Sequence, residues 1–172
     1  MKVKELMVRA VRTCLMDDSL NSAAQLMWEG DCGVLPVVGQ DGSVVGMIRD
    51  RDIWMAAYTR GRSLGDLRVG NAMANQVTFC SPDSTLEAAM SLMKEARVHR
   101  LPVVDSQGKL AGILSLNDLA REARKQAKGS GREVRPVDVA DTLGVLCEHR
   151  LPAPVVTKSL GRHVGELAGA GV

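Results

Sequence analysis

Residues 69–119 of this chain rework residues 3–53. A forward shift of 66 positions superimposes the two segments without a gap, and about a third of the aligned positions are identical. The matches include Met7/Met73, Cys14/Cys80, Leu20/Leu86, Met27/Met93, Gly46/Gly112 and Asp52/Asp118, with Leu-Pro-Val-Val at both 35–38 and 101–104. A supersecondary unit of this size buries too little apolar surface to be stable alone, so the two copies are expected to pack together.

Each copy reads in the same order. A short extended piece opens it, at 11–13 and 77–79. Turn residues follow, at 17–19 and 82–85, and then an amphipathic helix. In the second copy Leu86, Ala89, Met90 and Met93 form one helical stripe. Ser84 and Glu87 have capping-box spacing at its start. Strands are expected at 34–38 and 44–48, and at 101–104 and 110–114, joined by hairpins at Asp41-Gly42 and Gln107-Gly108. A second helix closes each copy, from near Arg51 and near Leu116. The fold class is α/β of the α+β kind: two tandem β-α-β-β-α repeats packed as a pseudo-twofold pair, with clefts along the seam. The divisions are 1–60 for the first repeat, 61–70 for a linker, 71–125 for the second repeat and 126–172 for a tail. In that tail Gly129-Ser130-Gly131 is expected to be a flexible joint, followed by one more helix over 137–149.

Other features exclude function classes. Aromatic residues are only 2% of the chain, too few for a surface that stacks single-stranded nucleic acid. A net charge of +2 supplies no global attraction to nucleic acid or anionic membrane. No apolar run approaches a spanning length, and the charged start, Lys2-Val3-Lys4-Glu5, argues against export, so the chain is expected in the cytoplasm. Cys14, Cys32, Cys80 and Cys147 are scattered and read as reduced thiols. Cys147 and His149 lack a second ligand pair, so no metal site is expected. The basic stretch 121–135 reads as a solvated helix face, with an acidic partner or nucleic acid as the other reading. Asp, His and Arg occur together, but no activated nucleophile accompanies them, which argues against an enzyme.

The Leu-Pro-Val-Val strands, the hairpin turns and a segment of the form G-h-h-[ST]-x-x-D resemble the tandem cystathionine-β-synthase-type (CBS) domain pair, or Bateman module. The resemblance runs from Val3 to about Lys125. Copy two has the full segment, Gly112-Ile113-Leu114-Ser115-Leu116-Asn117-Asp118. Copy one reads Gly46-Met47-Ile48-Arg49-Asp50-Arg51-Asp52, with Arg49 in place of Ser or Thr. The family is regulatory and non-catalytic and has no obligatory cofactor. Its pairs bind adenosine-containing ligands such as AMP, ADP, ATP or S-adenosylmethionine, and two modules often associate as a disc-like homodimer.

The resemblance implies ribose binding by Asp52 and Asp118, and a carboxylate at a helix start is chemically suited to accept from a cis-diol. Ser115 would lie near phosphate, at a helix N-terminus that attracts anions. The spacing Ser115–Asp118 is equally that of a capping box. The run Val-His-Arg-Leu-Pro-Val-Val resembles the γ subunits of AMP-activated protein kinase, where the matching His-Arg pair contacts phosphate. Carried over, His99 and Arg100 face the Asp52 site together with Arg49, whose planar fork suits phosphate. The alternative is that Arg49 fills the cleft itself. Gly33 and Val34 hold the His-Arg places opposite, so the Asp118 cleft is expected to be less basic and to suit AMP or a ligand with little phosphate, or to stay empty, while the Asp52 cleft takes the more phosphorylated ligand. The function expected is an energy-sensing adenine-nucleotide module, probed against the alternative of a ligand-free homo-oligomerisation or protein-interaction scaffold. The regulated protein partner is not named by the sequence.

Overall fold

The computed structural model describes residues 1–127 and 134–148. The chain runs α1 (Val3–Leu6), β1 (Cys14–Leu15), α2 (Leu20–Glu29), β2 (Val34–Val38), β3 (Val44–Arg49) and α3 (Asp50–Arg60). A 3-10 turn follows at Val69–Asn71, then α4 (Leu86–Ala96), β4 (Arg100–Val104), β5 (Leu110–Ser115), α5 (Leu116–Gln126) and α6 (Pro136–Cys147). Both repeats have the same plan. β2 pairs antiparallel with β3 and parallel with β1; β4 pairs antiparallel with β5, and Cys80 makes a single parallel bridge to Val103. Gly42 and Gly108 turn the hairpins at φ 83° and 78°, the left-handed region that glycine adopts without strain.

The opening strands begin later than the extended pieces expected at 11–13 and 77–79, with Cys14 and Cys80 as the first paired residues. Residues 10–12 and 76–78 have no ladder partner and instead line the clefts between repeats. The cap of α4 also differs from expectation. Thr85, not Ser84, accepts from Ala88 N (3.2 Å), as Ser19 accepts from Ser22 N (3.0 Å) in α2. The repeat register pairs Ser19 with Thr85, and Ser84 is spent in the preceding turn, accepting from Ser81 N.

Two cores form, and neither is a continuous piece of chain. Val3 and Met7, from the start, are buried among second-repeat residues such as Leu86, Met93, Leu101 and Leu114. Leu67 and Val69, both within the expected linker, are buried among first-repeat residues such as Leu20, Val37 and Ile48. The residues ahead of each repeat thus complete the sheet of the other. Val8 exchanges two backbone hydrogen bonds with Ile113 (2.9 Å each), and Ala74 exchanges two with Met47 (2.9 and 3.0 Å). The hairpin tips also meet, Val44 N donating to Gly108 O and Leu110 N to Gly42 O.

That close approach explains the glycine opening each G-h-h-[ST]-x-x-D segment. A Cβ on Gly112 would lie 2.8 Å from the Val8 carbonyl oxygen, and one on Gly46 would lie 2.6 Å from Met73 Sδ and 3.1 Å from the Ala74 carbonyl oxygen. The joint 129–131 lies outside the described residues. α6 covers most of the tail helix expected at 137–149, with Pro136 at its first turn. It packs on α4 and α5, with Val139 and Thr142 buried and Leu146 against the second core. Several cations of the basic stretch are spent locally: Arg121 on Asp118, Lys125 on Glu122 and Arg135 on Asp138.

Gly112→Ala is expected to destabilise the fold by about 1–3 kcal/mol, the usual cost of forcing a methyl against fixed backbone. Urea unfolding monitored by circular dichroism measures it as a lower midpoint with unchanged slope.

Candidate functional site

The two interlocked edges leave two clefts along the seam, related by the same pseudo-twofold as the repeats. Each is walled by the segment before one repeat's first strand, the entrance of that repeat's second strand, and the end of the other repeat's hairpin. One has a volume of about 610 Å³ and is bordered by Arg49, Asp50, Thr78, Arg97, His99 and Arg100. The other is about 370 Å³ and is bordered by Arg12, Asp31, Arg100, Ser115, Asp118 and Arg121. Volumes of this order are typical of small-molecule sites.

The smaller cleft ends at the start of α5. Ser115 is its N-cap and accepts from Asp118 N (3.3 Å), while Asp118 Oδ2 accepts from Ser115 N (2.8 Å) and Ser115 Oγ (2.6 Å). Arg121, one turn along the helix, donates to Asp118 Oδ1. Asp118 is only 5% exposed, yet it borders the cleft. The capping geometry and the cleft position therefore occur in the same side chain. A carboxylate has about four lone-pair positions, so these contacts do not exhaust it.

The larger cleft ends at the start of α3, where the chemistry differs. Arg49 has no acceptor to offer a helix N-terminus. Its guanidinium instead grips Asp52 in a fork, Nε to Oδ2 at 2.9 Å and Nη2 to Oδ1 at 2.8 Å, and its backbone N donates to Oδ2 at 3.0 Å. Asp50 takes up part of the capping role by accepting from Arg51 N at 2.6 Å. The Arg49 guanidinium is held further toward its charged form, chiefly by the hydrogen bond to Asp52. Arg49, Asp50, His99 and Arg100 border this cleft, whereas Asp52 does not; it lies behind Arg49. Both second helices start from the entrance of the preceding strand pair, Asp50 N donating to Gly33 O and Leu116 N to His99 O.

The expected contrast in charge is smaller than the sequence indicates. The larger cleft sets three arginines and His99 against Asp50; the smaller sets three arginines against Asp31 and Asp118. Gly33 and Val34 do replace the His-Arg pair, but Arg12 and Arg121 bring charge from elsewhere. Arg12 falls opposite Thr78 in the repeat register, and Arg121 is one turn beyond Asp118; both signals are present in the sequence. Arg12 is shared with Glu29 (3.1 Å), and Arg97 in the larger cleft with Glu148 (3.1 Å). Arg100 borders both clefts, and its side chain makes no hydrogen bond or ion pair to the described residues.

Among the described residues there is no group of three or more His, Cys, Asp or Glu side chains that could hold a metal ion. No helix among them is long and apolar enough to cross a membrane. Cys14 and Cys80 are core thiols: burial, with a smaller contribution from Asp18, pushes Cys14 up to about 12, and burial pushes Cys80 up to about 11.

A duplicated α+β unit with two seam clefts defines a tandem repeat module. The chain belongs to the CBS domain family, whose model matches residues 3–53 and 66–125. It is 38% identical over 118 residues to the CBS domain-containing protein YhcV of Bacillus subtilis, covering 69% of this chain and 82% of YhcV. Its fold is similar to that of CBSX2 in complex with AMP, with a TM-score of 0.65 and 27% identity over 73% of this chain and 98% of the other. It is also similar to Hypoxic Response Protein I with two coordinated zinc ions, with a TM-score of 0.64 and 28% identity over 70% of this chain and 98% of the other.

The two core thiols are too protonated at pH 8 to be nucleophiles. In a titration with a chromogenic disulfide reagent, exposed Cys147 is expected to react first, and Cys14 and Cys80 only after denaturant is added.

Proposed function

We propose that this chain is a non-catalytic regulatory module that binds adenine nucleotides in the clefts between its repeats. The observation that carries this reading is the meeting, in each cleft, of several arginines, Arg100 among them with no partner of its own in the described residues, with a helix start bearing a carboxylate. Phosphate suits the arginines and the helix N-terminus. Ribose hydroxyls suit the carboxylate. The AMP held by the CBSX2 relative supports an adenosine-type ligand.

In the smaller cleft Asp118 takes a ribose hydroxyl through the Oδ1 lone pair that Ser115 and Arg121 leave open, and Ser115 lies toward phosphate. In the larger cleft His99, Arg100 and Arg49 take phosphate. Asp52 reaches the ribose there only as Arg49 turns away from it toward the ligand, so the two clefts bind by different routes. Adenine is held by the extended segments 10–12 and 76–78. The ligand favours one arrangement of the repeats over another and shifts the population toward it. Free cysteines fit a reducing compartment, and we place the protein in the cytoplasm.

A thermal-shift panel of AMP, ADP, ATP, S-adenosylmethionine and adenosine tests this. A specific ligand at about a hundred times its Kd stabilises the fold by about 2.7 kcal/mol, a rise in Tm of several degrees. Arg100→Ala is expected to weaken a phosphorylated ligand by about 10- to 100-fold, the loss of a charge-assisted hydrogen bond, and to leave adenosine unchanged. No shift with any of these compounds at millimolar concentration would favour the ligand-free scaffold instead.

A further inference from the structure

α6 lies outside the residues matched by the family model, which end at 125, yet it is built into the second repeat. Val139 is buried in that repeat's core and Leu146 rests against it. Two ion pairs tie α6 to α4 and its cap, Asp141 to Lys94 (2.9 Å) and Glu148 to Arg97 (3.1 Å). The two ties differ in what else they touch. Lys94 borders neither seam cleft. Arg97 borders the larger one, beside Arg49, His99 and Arg100.

The backbone puts Arg97 in both places at once. It caps the C-terminal end of α4 at φ 51° and ψ 49°, and the chain runs from it straight into Val98, His99 and Arg100 at the strand entrance. Left-handed backbone is unfavourable for a residue with a Cβ, and glycine or asparagine is usual at such a helix end. Here the position holds an arginine. Its guanidinium donates to Glu148 Oε2 (3.1 Å) and, more loosely, to the Glu148 carbonyl oxygen (3.5 Å), so it closes the C-terminal end of α6, where carbonyls lack partners and a cation is favourable. The repeat register shows that this wiring belongs to one cleft. Arg97 aligns with Asp31, which has left-handed backbone too (φ 45°) and borders the smaller cleft, but carries the opposite charge. No counterpart of α6 packs on the first repeat among the described residues.

The hold on Glu148 is weak by construction. The pair is single-pronged, with the acid side chain 61% exposed, and such pairs contribute little. Phosphate is the stronger acceptor, because it takes the arginine fork bidentately and meets Arg100 and His99 in the same cleft. Resting on the reading of the larger cleft as a phosphate site, we propose that a phosphorylated ligand there takes Arg97 from Glu148, so that α6 is the output element of this cleft. Its last turn is held while Glu148 has the arginine and is released when phosphate has it, which loosens the cover that Leu146 gives the second core. The smaller cleft has no such output. Because coupling is reciprocal, the docked end of α6 weakens the ligand by the factor with which the ligand loosens α6.

The test uses the full chain, with ADP and adenosine as probes. Affinity is measured by calorimetry, and the end of α6 is followed by hydrogen exchange of residues 144–148 read by mass spectrometry. ADP is expected to speed that exchange about two- to fivefold, the factor an exposed ion pair supplies, and adenosine to leave it unchanged. Glu148→Gln is expected to speed the exchange without ligand, to abolish the further response to ADP, and to tighten ADP about two- to fivefold with adenosine unaffected. A purely structural role for Glu148 would loosen α6 and leave the preference for ADP over adenosine where it was. ADP that binds without changing the exchange of α6, or binds Glu148→Gln no more tightly, overturns the proposal and leaves the nucleotide reading standing. Absence of binding by either compound to either protein overturns both.

Discussion

The structure depends on a backbone exchange at its seam. Val8 pairs with Ile113 and Ala74 with Met47, so each sheet gains its outer edge from residues that precede the other repeat. The exchange is possible because Gly112 and Gly46 carry no side chain there. It places Val3 and Met7 in one core and Leu67 and Val69 in the other. A single repeat would expose an unpaired strand edge and an incomplete core, so the pair behaves as one folding unit rather than two domains on a linker. The clefts follow from the same geometry. The segments 10–12 and 76–78 leave that exchange and cross the seam before reaching their own first strands, and they wall the clefts on the way.

Within this frame a single substitution between copies changes the chemistry of a helix start. Ser115 both donates to and accepts from the turn it caps, which leaves Asp118 bordering its cleft. Arg49 can only donate. It satisfies Asp52 by forking onto it, places its own side chain at the cleft wall and sets Asp52 behind. The fold is nearly symmetric, but the two sites are not. The smaller cleft presents a pre-formed carboxylate; the larger presents a cation forked onto one.

Much of this was legible in the sequence because the repeat acts as a two-member alignment. The second helices, both hairpins and the Leu-Pro-Val-Val strands all follow from local pattern, with glycine at the turns. The cap of α4 was misplaced at Ser84 by capping-box spacing, although the register that pairs Asp52 with Asp118 also pairs Ser19 with the true cap, Thr85. What was not legible depends on which distant segments meet. No local pattern reveals that Leu67 and Val69 belong to the first core, or that Arg100 borders both clefts. The basic character of the smaller cleft needed Arg12, Arg100 and Arg121 to be brought together from three elements, and periodicity says nothing of that.

Duplication also explains why departures from symmetry are informative here. Two copies of one unit begin with the same clefts and the same helix faces, so aligned positions that differ in kind mark where the halves have come to do different work. They differ on the seam, at Arg49/Ser115 and Gly33/His99, and on the outer helix face, at Trp28/Lys94, Trp54/Ala120 and Tyr58/Arg124. One element belongs to both surfaces. The first turn of α3 borders the larger cleft through Asp50, and its outer side carries Trp54, Met55 and Tyr58. A helix of 11 residues is short and stiff enough to move as a unit. Whatever displaces Arg49 from Asp52 acts on the N-terminus of the same rod that carries the aromatic stripe, so α3 is the most direct mechanical connection between the seam and the outer face.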